Sequence, residues 1–208
     1  MRAATTMADL WRPCEKTRSL FYDLCATAVG SALIALSAQL AVHLPFSPVP
    51  ITGQTFAVLL LAALLGPGRG VLCVLTYLAE GLAGLPVFAQ AGSGPAWLLG
   101  ATGGYLIGFV PAAWLVGRLA QMGWDRRFRT TVAAMLFGNT AIYACGLAWL
   151  ACLNTVGRVN LGFNSLLTVG LYPYILGDVL KVVLAGMLLP GLWQALGRSG
   201  RSPDEGRI

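Results

Sequence analysis

Apolar residues run through the chain in six long blocks, at about residues 24–44, 54–66, 69–85, 98–119, 130–151 and 168–197. A helix needs about 20 apolar residues to cross a bilayer core, so most of these blocks predict membrane spans. The second block is short, because Gly66-Pro67-Gly68 ends it abruptly. The pattern predicts an all-α membrane protein, a bundle of six transmembrane helices.

Composition agrees. Of the 208 residues, 57% are hydrophobic and only 11% charged, whereas soluble domains carry about 25% charged residues. The chain divides into an N-terminal segment at 1–23, a membrane domain at 24–197 and a tail at 198–208, with no soluble domain or internal repeat. The first segment does not read as a secretory signal, since Arg2, Arg12, Lys16 and Arg18 intervene and no apolar core precedes Asp23. The five cysteines show no C-x-x-C spacing and read as small apolar residues. His43 is the single histidine, so a histidine metal cluster is excluded, and its place at a span end predicts an interfacial residue.

The basic residues set orientation. With six spans, twelve of the fourteen fall on one side: Arg2, Arg12, Lys16 and Arg18 before the first, Arg69 between the second and third, Arg118, Arg126, Arg127 and Arg129 around the fourth connection, and Arg198, Arg201 and Arg207 after the last. Only Arg158 lies in an opposite connection, and Lys181 lies inside the sixth span. The positive-inside rule then puts both termini in the cytoplasm. The outward connections are neutral: "SPVPITGQTF" at 47–56 and "PVFAQAGSGP" at 86–95 carry no charge, and 152–167 holds Asn154, Asn160 and Asn164. Such loops suit either a small-molecule pocket, with apolar walls and a few fixed polar groups, or short turns at the membrane interface.

Inside the sixth block, Asp178 and Lys181 stand three residues apart in "YPYILGDVLKVVLAG" and share one helix face. An ionisable residue that deep is costly unless paired or facing a polar cavity, which makes it a functional candidate. The alternative is a self-satisfying structural ion pair. Glu80, in "LTYLAEGLAGLPVF", either lines the same cavity or bonds to a hydroxyl such as Thr76 or Tyr77. Two intramembrane acids also raise an intramembrane hydrolase, but that chemistry needs two carboxyls sharing a proton, and Lys181 beside Asp178 opposes it. Gly100, Gly104 and Gly108 form a small-residue stripe for helix packing, with Tyr105 beside it. This glycine run lacks the Lys-Ser/Thr ending of a phosphate loop, so nucleotide binding is not expected. Ala28-x-x-x-Ala32 offers another such face, for internal packing or for docking another membrane helix.

Five motifs in order, "PVPITGQTFAVLL", "LGPGRG", "GLPVF", "GATGGYLIGF" and "GDVLK", together resemble the BioY family, the biotin-binding S-components of energy-coupling-factor (ECF) vitamin transporters. The resemblance implies a six-helix bundle in the bacterial plasma membrane that binds one vitamin near the outer face. The 1–2 loop would act as a lid and the 3–4 loop would line the pocket. Asp178 would accept from the ureido N–H groups of biotin, and Lys181 would donate to the ureido carbonyl or a neighbouring polar group. Gln54, Thr52, Ser93, Gly92, Tyr105 and Glu80 are further candidates. Where some members carry an asparagine and an arginine, this chain has Gly92 and Leu106, which leaves backbone N–H groups or Arg158 to hold the ligand carboxylate. Ala28 and Ala32 match the face that docks on a transmembrane coupling subunit, which works with two cytoplasmic ATPases. The implied chain is no enzyme, carries biotin as cargo rather than cofactor, contacts lipid, is compatible with a homo-oligomer and binds no nucleic acid. A relative specific for thiamin or riboflavin is the alternative.

Overall fold

The computed structural model describes residues 6–42, 49–157 and 163–199. The described residues form eight α-helices: α1 (Lys16–Gln39), α2 (Gln54–Leu65), α3 (Pro67–Leu82), α4 (Pro95–Leu99), α5 (Gly103–Gln121), α6 (Phe128–Thr155), α7 (Phe163–Gly170) and α8 (Tyr172–Ser199). Two short strands, β1 (Ala41–Val42) and β2 (Ile51–Thr52), pair antiparallel with Ala41 opposite Thr52. Among the described residues, four helical runs are long and apolar enough to cross a membrane: α1, α5, α6 and the stretch Leu166–Leu196 that contains most of α8. In lipid a helix satisfies its backbone polar groups internally, which is why this composition folds as helices.

The blocks predicted at 54–66 and 69–85 are shorter than uniform spans. They form α2 with 12 residues and α3 with 16, about 18 and 24 Å long at 1.5 Å per residue. Gly66, at φ +84°, ends α2, and Pro67 opens α3 at the position where a missing N–H costs nothing. The corner sits on α5 at Gly117, where a Cβ would come within 2.5 Å of the Pro67 nitrogen.

Other boundaries also differ from the apolar blocks. α1 starts at Lys16, ahead of residue 24, and its added turns carry Asp23, which pairs with Arg12 at 2.6 Å and faces Arg69 at 3.7 Å. The last block breaks at Leu171, and Pro173, which has no N–H to donate backwards, stands in the first turn of α8. The stripe expected over three glycines holds at two. Gly100 lies in the turn before α5, and its carbonyl accepts from the Trp149 indole at 2.9 Å. Gly104 and Gly108 pack on α6: a Cβ at Gly104 would overlap Trp149, and one at Gly108 would lie 3.0 Å from the Cys145 Cβ.

The six major helices alternate in direction between two ends. At one end Arg69 pairs with Asp9, Gln121 approaches Gly66, and Asp125, between α5 and α6, accepts from Trp193 on α8 at 2.6 Å. Arg12, Arg69 and Arg126 gather there. The other end holds β1–β2, the turn 88–92 and the start of α8. His43, Pro48, Arg158, Asn160, Arg2, Arg201 and Arg207 lie outside the described residues.

Candidate functional site

A pocket of about 590 Å3, counting its mouth, opens at the end opposite the gathered arginines. The register of α8 supplies one wall: Tyr174, Asp178 and Lys181, at i, i+4 and i+7, fall on one face. Leu176, Val179 and Leu180 on the same helix are exposed on its outer side. From α5 come Tyr105, Leu106 and Phe109, from α6 Ile142 and Tyr143, and from α2 Gln54 and Thr55. Phe88, Ala89, Trp97 and Thr102 of the 3–4 connection and Val49, Pro50 and Thr52 of the 1–2 connection complete the lining.

The polar groups gather around Asp178, which is 6% exposed. One carboxylate oxygen accepts from the Tyr143 hydroxyl and the other from Lys181 at 3.1 Å. Lys181 also donates to the Thr55 hydroxyl at 2.8 Å. The pair is neutral as a unit, which lowers the cost of placing two charges in an apolar bundle. It keeps spare capacity as well. A carboxylate has about four acceptor sites and an ammonium three donors; two of each group's neighbours are accounted for here, leaving acceptors on Asp178 and one N–H on Lys181. The site can therefore accept two N–H groups and donate to a carbonyl, inside walls of aromatic rings.

Of the other residues expected from sequence, Gln54, Thr52 and Tyr105 line this pocket. Gln54 is buried; it donates to the Tyr77 hydroxyl and accepts from Thr52 at 3.0 Å. Tyr105 spends its own proton on the Gly170 carbonyl at 2.8 Å, so toward a ligand it offers ring face and lone pairs. Glu80, Gly92 and Ser93 are not part of the lining. Glu80 turns to α1 and accepts from Ser31 at 2.5 Å, bonding a hydroxyl other than Thr76 or Tyr77. It shares no contact with Asp178, and the two acids form no dyad. Gly92 acts one step back, since a Cβ there would overlap the Trp97 ring. The expectation that Arg158 holds a carboxylate falls outside the described residues.

Tyr143, Thr55, Tyr174 and Trp97 are among the lining residues that were not read from the sequence. Tyr143 is one of several hydroxyls in an apolar block that also holds Thr130, Thr131 and Thr140, and Tyr174 stands one helical turn before Asp178. Tyr174 also fixes the 1–2 connection by donating to the Val49 carbonyl at 2.6 Å. With Gly53 N–H on the Leu40 carbonyl at 3.0 Å and the β1–β2 pair, this sets the second half of "SPVPITGQTF" over the pocket. The 3–4 connection is held against preference: Gln90 and Ala91 adopt φ 57° and 55°, a left-handed conformation costing about 1–2 kcal/mol for each L-residue.

An apolar helical bundle with an aromatic pocket floored by a part-buried ion pair is a small-molecule-binding membrane protein. The chain belongs to the BioY family, whose model matches residues 7–198. It is 36% identical to the biotin transporter BioY of Thermotoga maritima over 166 residues, covering 80% of this chain and 92% of the relative. It is likewise 36% identical to a probable biotin transporter BioY of Pyrococcus horikoshii, over 78% of this chain and 91% of the relative. Among solved structures, it is similar to the S-component for biotin from an ECF-type ABC transporter, with a TM-score of 0.75 at 27% identity, over 88% of this chain and 95% of that one.

Proposed function

We propose that this protein is the biotin-binding S-component of an ECF-type transporter, taking biotin at the outer face and delivering it inward. The observation that carries the reading is the Asp178–Lys181 pair, with Tyr143 and Thr55, on the floor of an aromatic pocket in a BioY-family chain. The ureido edge of biotin presents donor, acceptor and donor. Asp178 accepts an N–H, Lys181 donates to the carbonyl, and the rings of Phe88, Trp97 and Tyr105 enclose the bicycle.

The alternating helices, with arginines gathered at one end, support six crossings and cytoplasmic termini in the plasma membrane. α2 and α3 complete one crossing each with the help of their connections. Ala28 and Ala32 are exposed on α1 beside Leu24, Val29 and Leu36, which supports a face for a transmembrane coupling subunit; cytoplasmic ATPases bound to it would supply the hydrolysis, so the chain itself performs none. Saturable binding of tritiated biotin to purified protein, competed by unlabelled biotin but not by thiamin or riboflavin, is the expected result. Displacement by either other vitamin, or no saturable binding up to micromolar ligand, would overturn the reading.

A further inference from the structure

The 3–4 connection forms part of the pocket wall, and its turn closes with two backbone bonds, Phe88 N–H on the Gly92 carbonyl at 3.0 Å and Gly92 N–H on the Ala89 carbonyl at 3.1 Å. Gln90 and Ala91 both sit in the left-handed region, which non-glycine residues rarely occupy as neighbours. A further hold on this turn comes from another helix. At the last position of α1, the Gln39 amide donates to the Phe88 carbonyl at 3.1 Å and accepts from the Ala91 N–H at 2.9 Å. It also donates to the Ala35 carbonyl at 3.2 Å, which fixes the side chain to its own helix. One amide thus grips both sides of the strained turn, as a neighbouring strand would.

The gripped turn places Phe88, 1% exposed. Its ring packs edge-on against Tyr77 with centroids 5.5 Å apart, and faces Trp97 at 6.4 Å. It lies so close on Gly81 that a Cβ there would overlap it. Phe88 and Ala89 line the pocket; Gln39 does not.

We infer that Gln39 is a positioning residue for ligand binding: it holds the Phe88–Ala91 wall in the shape that encloses the ligand, and makes that shape depend on where α1 stands. The inference rests on the biotin reading for its ligand, and on nothing beyond the described contacts for the clamp. Its consequence is mechanical. α1 presents Ala28 and Ala32 outward and ends on the pocket wall, so a displacement of α1 by a docked membrane partner pulls on Phe88.

The test compares wild type with Gln39→Met, which keeps the side-chain length and removes all three bonds. In the ligand-free protein, hydrogen exchange of the segment 88–92 is expected to quicken about tenfold or more, with little change elsewhere. Biotin affinity is expected to fall about tenfold, mostly through faster dissociation, the size of a lost pair of partly exposed hydrogen bonds. In a Phe88→Leu background the same substitution should cost less than about twofold, because the group it positions is gone. Unchanged exchange at 88–92 overturns the clamp, whatever the ligand is. Quickened exchange with unchanged affinity, or an equal loss in both backgrounds, overturns the positioning role. A wild type that binds no biotin instead sinks the ligand assignment, and the exchange result still decides the clamp. Gln39→Glu, which keeps an acceptor for Ala91 but sets an oxygen against the Phe88 carbonyl, should be no better than Gln39→Met.

Discussion

Asp178 and Asp125 are both nearly fully buried carboxylates, 6% and 2% exposed, at opposite ends of one bundle. Asp178 receives two donors from different helices and borders a pocket. Asp125 receives the Trp193 indole N–H at 2.6 Å, its other oxygen has no hydrogen-bond partner, and it takes no part in the lining of that pocket. Arg126 lies over the same indole at 4.7 Å from the ring centre. Burial alone therefore does not mark a binding residue. A buried acid beside space and a cation with a spare N–H has capacity that a ligand can use, while one sealed into a helix junction is a fastener, here joining the α5–α6 connection to α8.

The comparison breaks most visibly at Asp178. Asp178→Ala or Lys181→Ala is expected to lower biotin affinity about a hundredfold or more, since removing one partner of a buried charged pair costs about 2–5 kcal/mol. Either single change also leaves a lone charge in the bundle, so the double variant Asp178→Leu/Lys181→Met separates folding from binding. It should purify as a monodisperse, thermally stable protein and still fail to bind. Isothermal titration that returned wild-type affinity for the double variant would dissolve the contrast with Asp125.

Asp125→Ala is expected to act on stability only, by about 1–3 kcal/mol through the lost bond and the stranded indole N–H, with biotin affinity unchanged. Its pH dependence carries a sign. Burial pushes the Asp125 carboxyl above the usual carboxylate range, ahead of the opposing effects of the Trp193 bond and of Arg126. The folded state therefore holds the proton more tightly than the unfolded one, and Asp125 destabilises progressively as pH rises from the ordinary aspartate value through the raised one. Asp125→Asn keeps an acceptor for Trp193 without the ionisation. The melting temperature of wild type relative to Asp125→Asn should fall from about pH 4 toward neutrality; a rise would mean that the ionised form is the stabilised one.

Tyr143→Phe is the smallest change, removing one hydroxyl from Asp178. Biotin affinity should drop about fivefold, equivalent to about 1 kcal/mol, with the fold intact. A loss as large as that at Asp178 would make Tyr143 a direct ligand contact in its own right.

The fold was legible where lipid alone decides. Six apolar blocks correspond to the six major helices, and the placement of Arg69 and Arg126 anticipated the end at which they gather. Boundaries set by single residues were less visible: the start of α1 depends on Asp23 meeting Arg12 and Arg69, which are remote in sequence. At the site, Asp178 and Lys181 stood out because charge in an apolar block has few other uses. Glu80 carried the same signal and went elsewhere, because which face of α3 meets α1 is fixed by packing with Ser31. Tyr143 and Thr55 were hidden for the opposite reason, since a hydroxyl in an apolar helix is ordinary until its neighbour across the bundle is known.

The most direct measurement is a crystal structure of this protein with biotin bound. The account predicts the ureido ring at the floor of the pocket, with an N–H on Asp178 and the carbonyl on Lys181, each at about 2.7–3.2 Å, and the valerate chain directed toward the mouth. Biotin lying the other way round, with its carboxylate paired to Lys181 and the ureido ring at the mouth, would contradict it.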